Sequence, residues 1–169
     1  DPSLGSKQPW KAVVENDHAW LGNVITKHYR GDDSDLKLMA AGLLSAYAGE
    51  PVEEFARKAE AFLRNSENPV HTRPNLKTAY APMRELLDLL ASHGFTNYIV
   101  SGGGRDFMRP ITRELYGVPP ERVVGTTVEL EYRETDGRPG LYHTPKLEVF
   151  DDGPAKVARI WSRIGARPI

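Results

Sequence analysis

The chain has 169 residues, which suits one domain or one domain with a helical insertion and excludes a large multi-domain assembly. Its residues are 40% hydrophobic and 27% charged, which is enough apolar material for a sizeable core. The 22 Lys and Arg residues against 23 Asp and Glu residues leave a net charge of −1, which gives no reason to expect nucleic acid or a membrane as partner. The absence of cysteine excludes disulfides, thiolate catalysis and Cys-based metal sites. It fits the cytoplasm and the periplasm equally well, so the compartment stays open.

Residues 9–65 show a helical pattern with no alternating β-branched run, so the first half is predicted to be all-α. Asp33 or Ser34 can cap one helix that ends near Gly49, and a second amphipathic helix follows at once. The prolines that come next break this second helix. We therefore predict a helical domain over residues 1–78.

Helices and strands alternate after this linker, which is typical of an α/β fold. The pattern predicts a buried strand over residues 95–100 that runs into a glycine-rich turn, and it predicts a hairpin turn at Asp136 and Gly137. Further helices and strands are predicted over residues 83–93, 105–116, 123–132, 141–142, 147–150 and 155–164. Together these elements form an α/β core over residues 79–169.

The glycine-rich turn is the strongest candidate for chemistry, because Ser101 is followed by Gly102, Gly103 and Gly104 at the start of a helix. Glycines let backbone N–H groups approach an anion, and a helix N-terminus adds partial positive charge. The turn lacks the lysine of a P-loop and the spacing of a dinucleotide site or a nucleophile elbow. Anion binding and a tight turn that requires positive φ angles both remain open.

Lys156 is the second candidate, since it stands in the first turn of the last helix, where the helix dipole disfavours a cation. Either its charge is directed at a ligand or it is a solvated surface lysine. Asp151 and Asp152 precede it, and capping of the last helix is favoured over metal binding. The histidines show no metal-ligand spacing and are interpreted as structural; they are His18, His28, His71, His93 and His143.

The stretch from Ile99 to Gly104, together with Lys156 at the start of a later helix, resembles the second and third motifs of the haloacid dehalogenase-like (HAD) hydrolase superfamily. The likeness is greatest to the phosphoserine-phosphatase-like branch, and within it to bacterial members that carry a stretch like residues 98–110. It extends from about Pro82 to the end of the chain. In this branch a helical cap lies between the first and second motifs, which fits the helical first half.

The resemblance implies a partial HAD-like Rossmannoid core with an N-terminal helical cap, and hydrolysis of a small phosphorylated metabolite through an aspartyl-phosphate with Mg²⁺. It implies that Ser101 hydrogen-bonds a phosphate oxygen, assisted by the backbone N–H groups of Gly102 and Gly103. It also implies that Lys156 neutralises charge on the nucleophile and on the transferring phosphoryl group. In such enzymes cap side chains set the specificity, and the candidate contacts, none of them favoured, are Trp20, Tyr29, Arg30 and Arg73.

The chain departs from this family at the first motif, an Asp-x-Asp-x-Thr/Val after a buried strand. The only Asp-x-Asp, Asp33-Ser34-Asp35, lies in a polar loop before a helix. The acidic fourth motif would come just after Ile169. We therefore expect a fragment without nucleophile or metal ligands, inactive alone, that self-associates or needs companion fragments. The alternative is a non-catalytic module that binds phosphate or another anion, or a partner.

Overall fold

The structure is a computed structural model that describes residues 5–68 and 70–169. Residues 1–4 of the predicted helical domain and Pro69 of the linker lie outside the described residues. The described residues form a group of helices followed by a sheet with helices packed on it. The helices are α1 (Trp10–Val14), α2 (His18–Tyr29), α3 (Ser34–Tyr47), α4 (Val52–Asn65), α5 (Ala81–Ser92), α6 (Arg105–Tyr116) and α7 (Ala155–Ile164). The strands are β1 (Glu67–Asn68), β2 (Arg73–Pro74), β3 (Ile99–Gly104), β4 (Val123–Thr135) and β5 (Arg138–Val149).

The helical prediction for residues 9–65 is confirmed, because helices α1 to α4 occupy this segment. Helix α3 begins at Ser34 with Asp33 at its N-cap, but the Asp33 side chain makes no capping hydrogen bond. It contacts His28 Nδ1 at 2.6 Å instead. Asp32 Oδ1 accepts the Ser34 N–H at 3.0 Å, so Asp32 secures the start of the helix. No helix in the described part of the chain is long and apolar enough to cross a membrane.

The second half contains a mixed three-stranded sheet in the order β3-β4-β5, which confirms the α/β prediction. Strand β3 runs parallel to β4, with Ile99 opposite Val123, and α6 makes the crossover between them. A turn at Asp136 and Gly137 joins β4 to β5, and the two strands pair antiparallel, as predicted. Helices α6 and α7 span the predicted ranges, and each ends at a glycine in the left-handed conformation, Gly117 or Gly165.

The first strand of this sheet lies about four residues later than predicted, because β3 spans Ile99–Gly104 rather than residues 95–100. The glycine-rich segment is therefore part of the strand, with a register irregularity between Ser101 and Gly104. The preceding segment is a loop, in which the Asn97 side chain donates a hydrogen bond to the Leu87 carbonyl at 2.8 Å. The apolar composition of this segment did not indicate a loop.

Strand β5 is continuous rather than two short strands. The predicted gap over residues 143–146 contains Pro145, which cannot donate a hydrogen bond within a sheet. Because β5 is an edge strand, it accommodates this proline. Register shifts in β4 between Thr127 and Leu130 absorb the resulting irregularity.

Strand β3 is half-buried at its start and exposed at Gly103 and Gly104, so the prediction of a buried strand is wrong. In the described residues, only β4 pairs with it. The flanking helices also leave apolar side chains exposed, among them Leu89 of α5 at 55% and Trp161 of α7 at 60%. The sheet therefore has an unpaired edge at β3 among the described residues, and the helices α5 and α7 carry exposed apolar side chains.

We expect Gly125→Ala to lower the free energy of unfolding by about 1–3 kcal/mol, because overpacking in a buried site is destabilising. Gly125 lies opposite Ser101, and a Cβ there would stand 2.8 Å from the Gly103 carbonyl oxygen and 3.2 Å from Arg105 Cα. Urea unfolding measures the change.

The matched control is Gly22→Ala in α2, where a Cβ meets no atom within 4 Å. This substitution should stabilise the chain slightly, because alanine favours a helix more than glycine does. Equal stability of Gly125→Ala and wild type would contradict the close approach described here.

Candidate functional site

The glycine-rich segment forms the carboxyl end of β3, directly before α6. Ser101 is half-buried, and its Oγ accepts the N–H of Gly103 at 3.1 Å. Gly102, Gly103 and Gly104 all lack a positive φ angle. The interpretation of this segment as a turn that needs left-handed backbone is therefore wrong.

Lys156 lies beside Gly102. A Cβ on Gly102 would lie 3.9 Å from Lys156 Nζ, 3.7 Å from Asp152 Oδ1 and 3.6 Å from the Asp151 carbonyl oxygen. The Lys156 side chain is 31% exposed. The structure thus brings Lys156 to the glycine-rich segment, and it is not a freely solvated surface lysine.

Two oxygen atoms hold the Lys156 ammonium at this position. Nζ donates to the Asp151 carbonyl oxygen at 2.9 Å and to Asp152 Oδ1 at 2.9 Å. An ammonium group has three N–H donors, so one remains for a ligand. The hydrogen bond from Lys156 also lowers the pKa of Asp152. The favoured capping role of the two aspartates is wrong, because Pro154 is the N-cap of α7 and no side chain caps this helix.

Thr126 connects the two halves of this site, and the sequence reasoning missed it. Its hydroxyl donates to the Gly102 carbonyl oxygen at 2.7 Å and accepts the Asp151 N–H at 3.1 Å. The single hydroxyl therefore links the end of β3 to the loop that precedes α7, the helix that carries Lys156. Asp151 is fully buried, and neither of its carboxylate oxygens has a hydrogen-bond partner among the residues described.

The helical half reaches this site through the end of α2. His28 Nε2 lies 3.6 Å from Asp152 Oδ2, and the Tyr29 hydroxyl donates to the same oxygen at 3.4 Å. The His28 ring also contacts Phe150 edge-to-face at a centroid distance of 5.7 Å. The hydrogen bond to Asp33 raises the pKa of His28, and Asp152 adds to the effect. The interpretation of His28 as merely structural missed this link between cap and core.

A charged cluster lies at the start of α6, close to the glycine-rich segment. Arg105 donates two hydrogen bonds to Asp106, Nε to Oδ1 at 2.9 Å and Nη2 to Oδ2 at 3.0 Å. Arg109 Nη1 donates to the same carboxylate at 3.1 Å, and His143 Nε2 lies 3.9 Å from it. Burial opposes ionisation of Asp106, but the nearby His143 and Arg105 hold its pKa well below the usual range. The Asp106 carboxylate is therefore fully paired within the cluster.

A cavity of about 480 Å³ lies between α3 and α4 on one side and β4 and β5 on the other. We call it the cap–core cavity. Gly102 and Gly104 line it, so it is continuous with the site around Lys156. Of the four cap residues proposed as contacts, Tyr29 reaches Asp152, whereas the cavity walls in the described chain do not include Trp20, Arg30 or Arg73.

The described residues do not fit the Mg²⁺ that the family resemblance implies. Magnesium binds through carboxylate oxygens together with substrate phosphates and water. No three His, Asp or Glu side chains within residues 5–68 and 70–169 come together as a metal-binding group. The Asp152 carboxylate beside Gly102 is paired with Lys156. These residues accordingly support no step through a metal ion.

The contact between His28 and its two carboxylates predicts a stability that depends on pH. Because the pKa of His28 is raised above its ordinary value of about 6.5, protonated His28 stabilises the folded chain fully below that pH. This stabilisation is lost as the pH rises through the folded-state pKa. Urea unfolding from about pH 5.5 to about pH 8.5 should show this loss in the wild type but not in His28→Gln. His71→Gln, in an exposed loop, should behave like the wild type, and identical profiles for all three chains would refute the expectation.

The family of the chain follows from its sequence as a whole. The model of the haloacid dehalogenase-like hydrolase family matches residues 4–167, which includes the helical half as well as both motifs. No curated protein matches the chain. The match agrees with the α/β core of the structure. The chain therefore belongs to the haloacid dehalogenase-like hydrolases.

Proposed function

We propose that this protein hydrolyses a small phosphomonoester and that the phosphoryl group binds between Ser101 and Lys156. The observation that carries the proposal is the position of Lys156 Nζ, 3.9 Å from where a Cβ of Gly102 would stand. An ammonium group and backbone free of side chains meet there at the end of a strand, and Ser101 directly precedes that backbone. This combination suits a phosphate dianion.

The hydrogen bonds at the site leave suitable donors for a phosphate. Ser101 Oγ accepts from Gly103, so the hydroxyl hydrogen remains free to donate to a phosphate oxygen. Lys156 uses two of its three donors on Asp151 and Asp152, and the third can reach the phosphoryl group. In this geometry the Gly103 N–H is occupied, so its predicted contact with phosphate requires the hydrogen bond to Ser101 to open. Charge stabilisation by fixed donors is the main contribution that proteins make to phosphoryl transfer.

The nucleophile belongs to the proposal as well. We infer that a strand from polypeptide outside these 169 residues pairs with the free edge of β3 and brings an aspartate nucleophile and the Mg²⁺ ligands. The unpaired edge of β3 and the exposed apolar residues of α5 and α7 support this inference. On this view the 169-residue chain binds phosphate but does not hydrolyse phosphate esters, and it self-associates or pairs with a companion fragment.

A second function, phosphate or other anion binding without catalysis, is favoured by one observation. Within the described residues no cluster of acidic or histidine side chains can hold a metal ion. The full-length product of the encoding reading frame distinguishes the two functions. If the longer protein also lacks an Asp-x-Asp-x-Thr/Val motif after a buried strand and hydrolyses no phosphate ester in the presence of Mg²⁺, the binding module is the better description.

We expect Ser101→Ala to weaken binding of inorganic phosphate by the 169-residue chain by about five- to tenfold, since a hydrogen bond to a charged group is lost. Lys156→Gln should weaken it by at least about tenfold, because the positive charge is lost. Calorimetric titration with phosphate measures both effects. The controls are Ser162→Ala and Lys146→Gln, two surface positions away from β3.

Equal phosphate affinity in all five chains would overturn the proposed site. Hydrolysis of p-nitrophenyl phosphate by the wild-type chain alone would instead overturn the inference that the nucleophile comes from outside these residues.

A further inference from the structure

The walls of the cap–core cavity are mainly apolar. Helix α3 contributes a row of side chains along one side, and α4, β4 and β5 complete the opposite sides. The apolar lining residues include Leu36, Leu43, Leu44, Phe55, Leu147 and Phe150. A volume of about 480 Å³ is within the usual range for a small-molecule site. The cavity therefore has the size and the surface to enclose an apolar group.

The carboxylates in these walls offer little to a cationic ligand. Asp106 is bound by Arg105 and Arg109, so its charge is already neutralised. Asp33 contacts His28 at 2.6 Å. A substrate with an ammonium group would have to bury it against apolar side chains, which is unfavourable.

Two polar atoms in the walls have no partner among the described residues. These are His143 Nδ1 and Thr144 Oγ1, which are both buried, and both residues line the cavity. The His143 residue is only 4% exposed, and its ring packs edge-to-face on Phe55 at 4.8 Å. Buried polar groups are normally hydrogen-bonded, so these two atoms point to a ligand that carries a complementary polar group.

The backbone holds His143 in place. Its N–H donates to the Glu50 carbonyl oxygen at 3.0 Å, and its carbonyl oxygen accepts the Gly49 N–H at 2.8 Å. The turn between α3 and α4 is thus hydrogen-bonded to β5 at the wall of the cavity. The imidazole is presented by a fixed strand rather than by a loose loop.

We propose that the alcohol portion of the phosphomonoester is an uncharged, mainly apolar group, such as a benzylic or branched aliphatic alcohol, with one hydrogen-bonding group that reaches His143 and Thr144. This proposal rests on the proposed function, because it places the phosphoryl group at Ser101 and Lys156 beside Gly102. The alcohol portion is joined to the phosphoryl group through the ester oxygen and extends into the apolar cavity. Its polar group lies at the cavity wall.

Binding of phosphonates to the 169-residue chain tests this proposal, since their P–C bond resists hydrolysis. We expect benzylphosphonate to bind at least about tenfold more tightly than methylphosphonate, by burial of the ring. The charged 2-aminoethylphosphonate should bind no more tightly than methylphosphonate. Tighter binding of 2-aminoethylphosphonate than of benzylphosphonate would overturn the apolar assignment.

Variants of two half-exposed leucines on α3 localise the effect, because substitution there should spare the fold. Leu43 lines the cavity and is 50% exposed, whereas Leu38 is 43% exposed and is not part of the cavity wall. Leu43→Gln should reduce the preference for benzylphosphonate several-fold and leave methylphosphonate binding unchanged. Leu38→Gln should change neither. Equal effects of both variants would overturn the proposed location.

The polar end of the ligand is tested with 4-(hydroxymethyl)benzylphosphonate. Its hydroxyl should increase affinity over benzylphosphonate in the wild type, and Thr144→Val should abolish that increase. Absence of the increase would overturn the role of Thr144 and His143. If methylphosphonate binding depends on Ser101 but the ring does not increase affinity, the assignment of the apolar cavity is overturned and the phosphate site is retained. If methylphosphonate does not bind at all, the proposed function fails and this proposal fails with it.

Discussion

The Asp152 carboxylate is the point on which the site depends. One of its oxygens accepts a hydrogen bond from Lys156, and the other contacts His28 and Tyr29 of the helical half. Without this anion, the Lys156 ammonium would stand at the N-terminal end of α7 against the helix dipole. The same carboxylate therefore stabilises a cation in an unfavourable place and holds α2 over the end of β3. One side chain therefore both balances the charge of Lys156 and joins α2 to the core.

Sequence reasoning identified the elements that local chemistry determines. Helices α6 and α7 were located to the residue, because glycines follow both of them directly. The juxtaposition of Ser101 and Lys156 came from motif resemblance, and the structure places their segments in contact through Gly102. The start of β3 was misplaced, because the apolar residues before it carry no sign that Asn97 fixes them as a loop.

The residues that sequence reasoning missed act through tertiary contacts. Thr126 has no motif, and its role depends on a strand pairing that brings it between Gly102 and Asp151. His28 and His143 lack metal-ligand spacing, so the sequence alone gives no indication of their contacts. Both histidines instead have carboxylates near them that are distant in sequence or on another element. Side chains of this kind are recognised only when their neighbours in space are known.

The helical half is attached to the core in two different ways, and the backbone pairing at His143 is one of them. Helix α4 packs on α6, where Arg64 forms an ion pair with Glu114, and the turn that precedes it is joined to β5 through Gly49 and Glu50. The tip of α2, by contrast, touches the core by side chains around Asp152 and Phe150. Side-chain contacts break more readily than backbone pairing. The attachment at α2 is therefore the easier of the two to release, while α3 and α4 stay packed on β5 and α6.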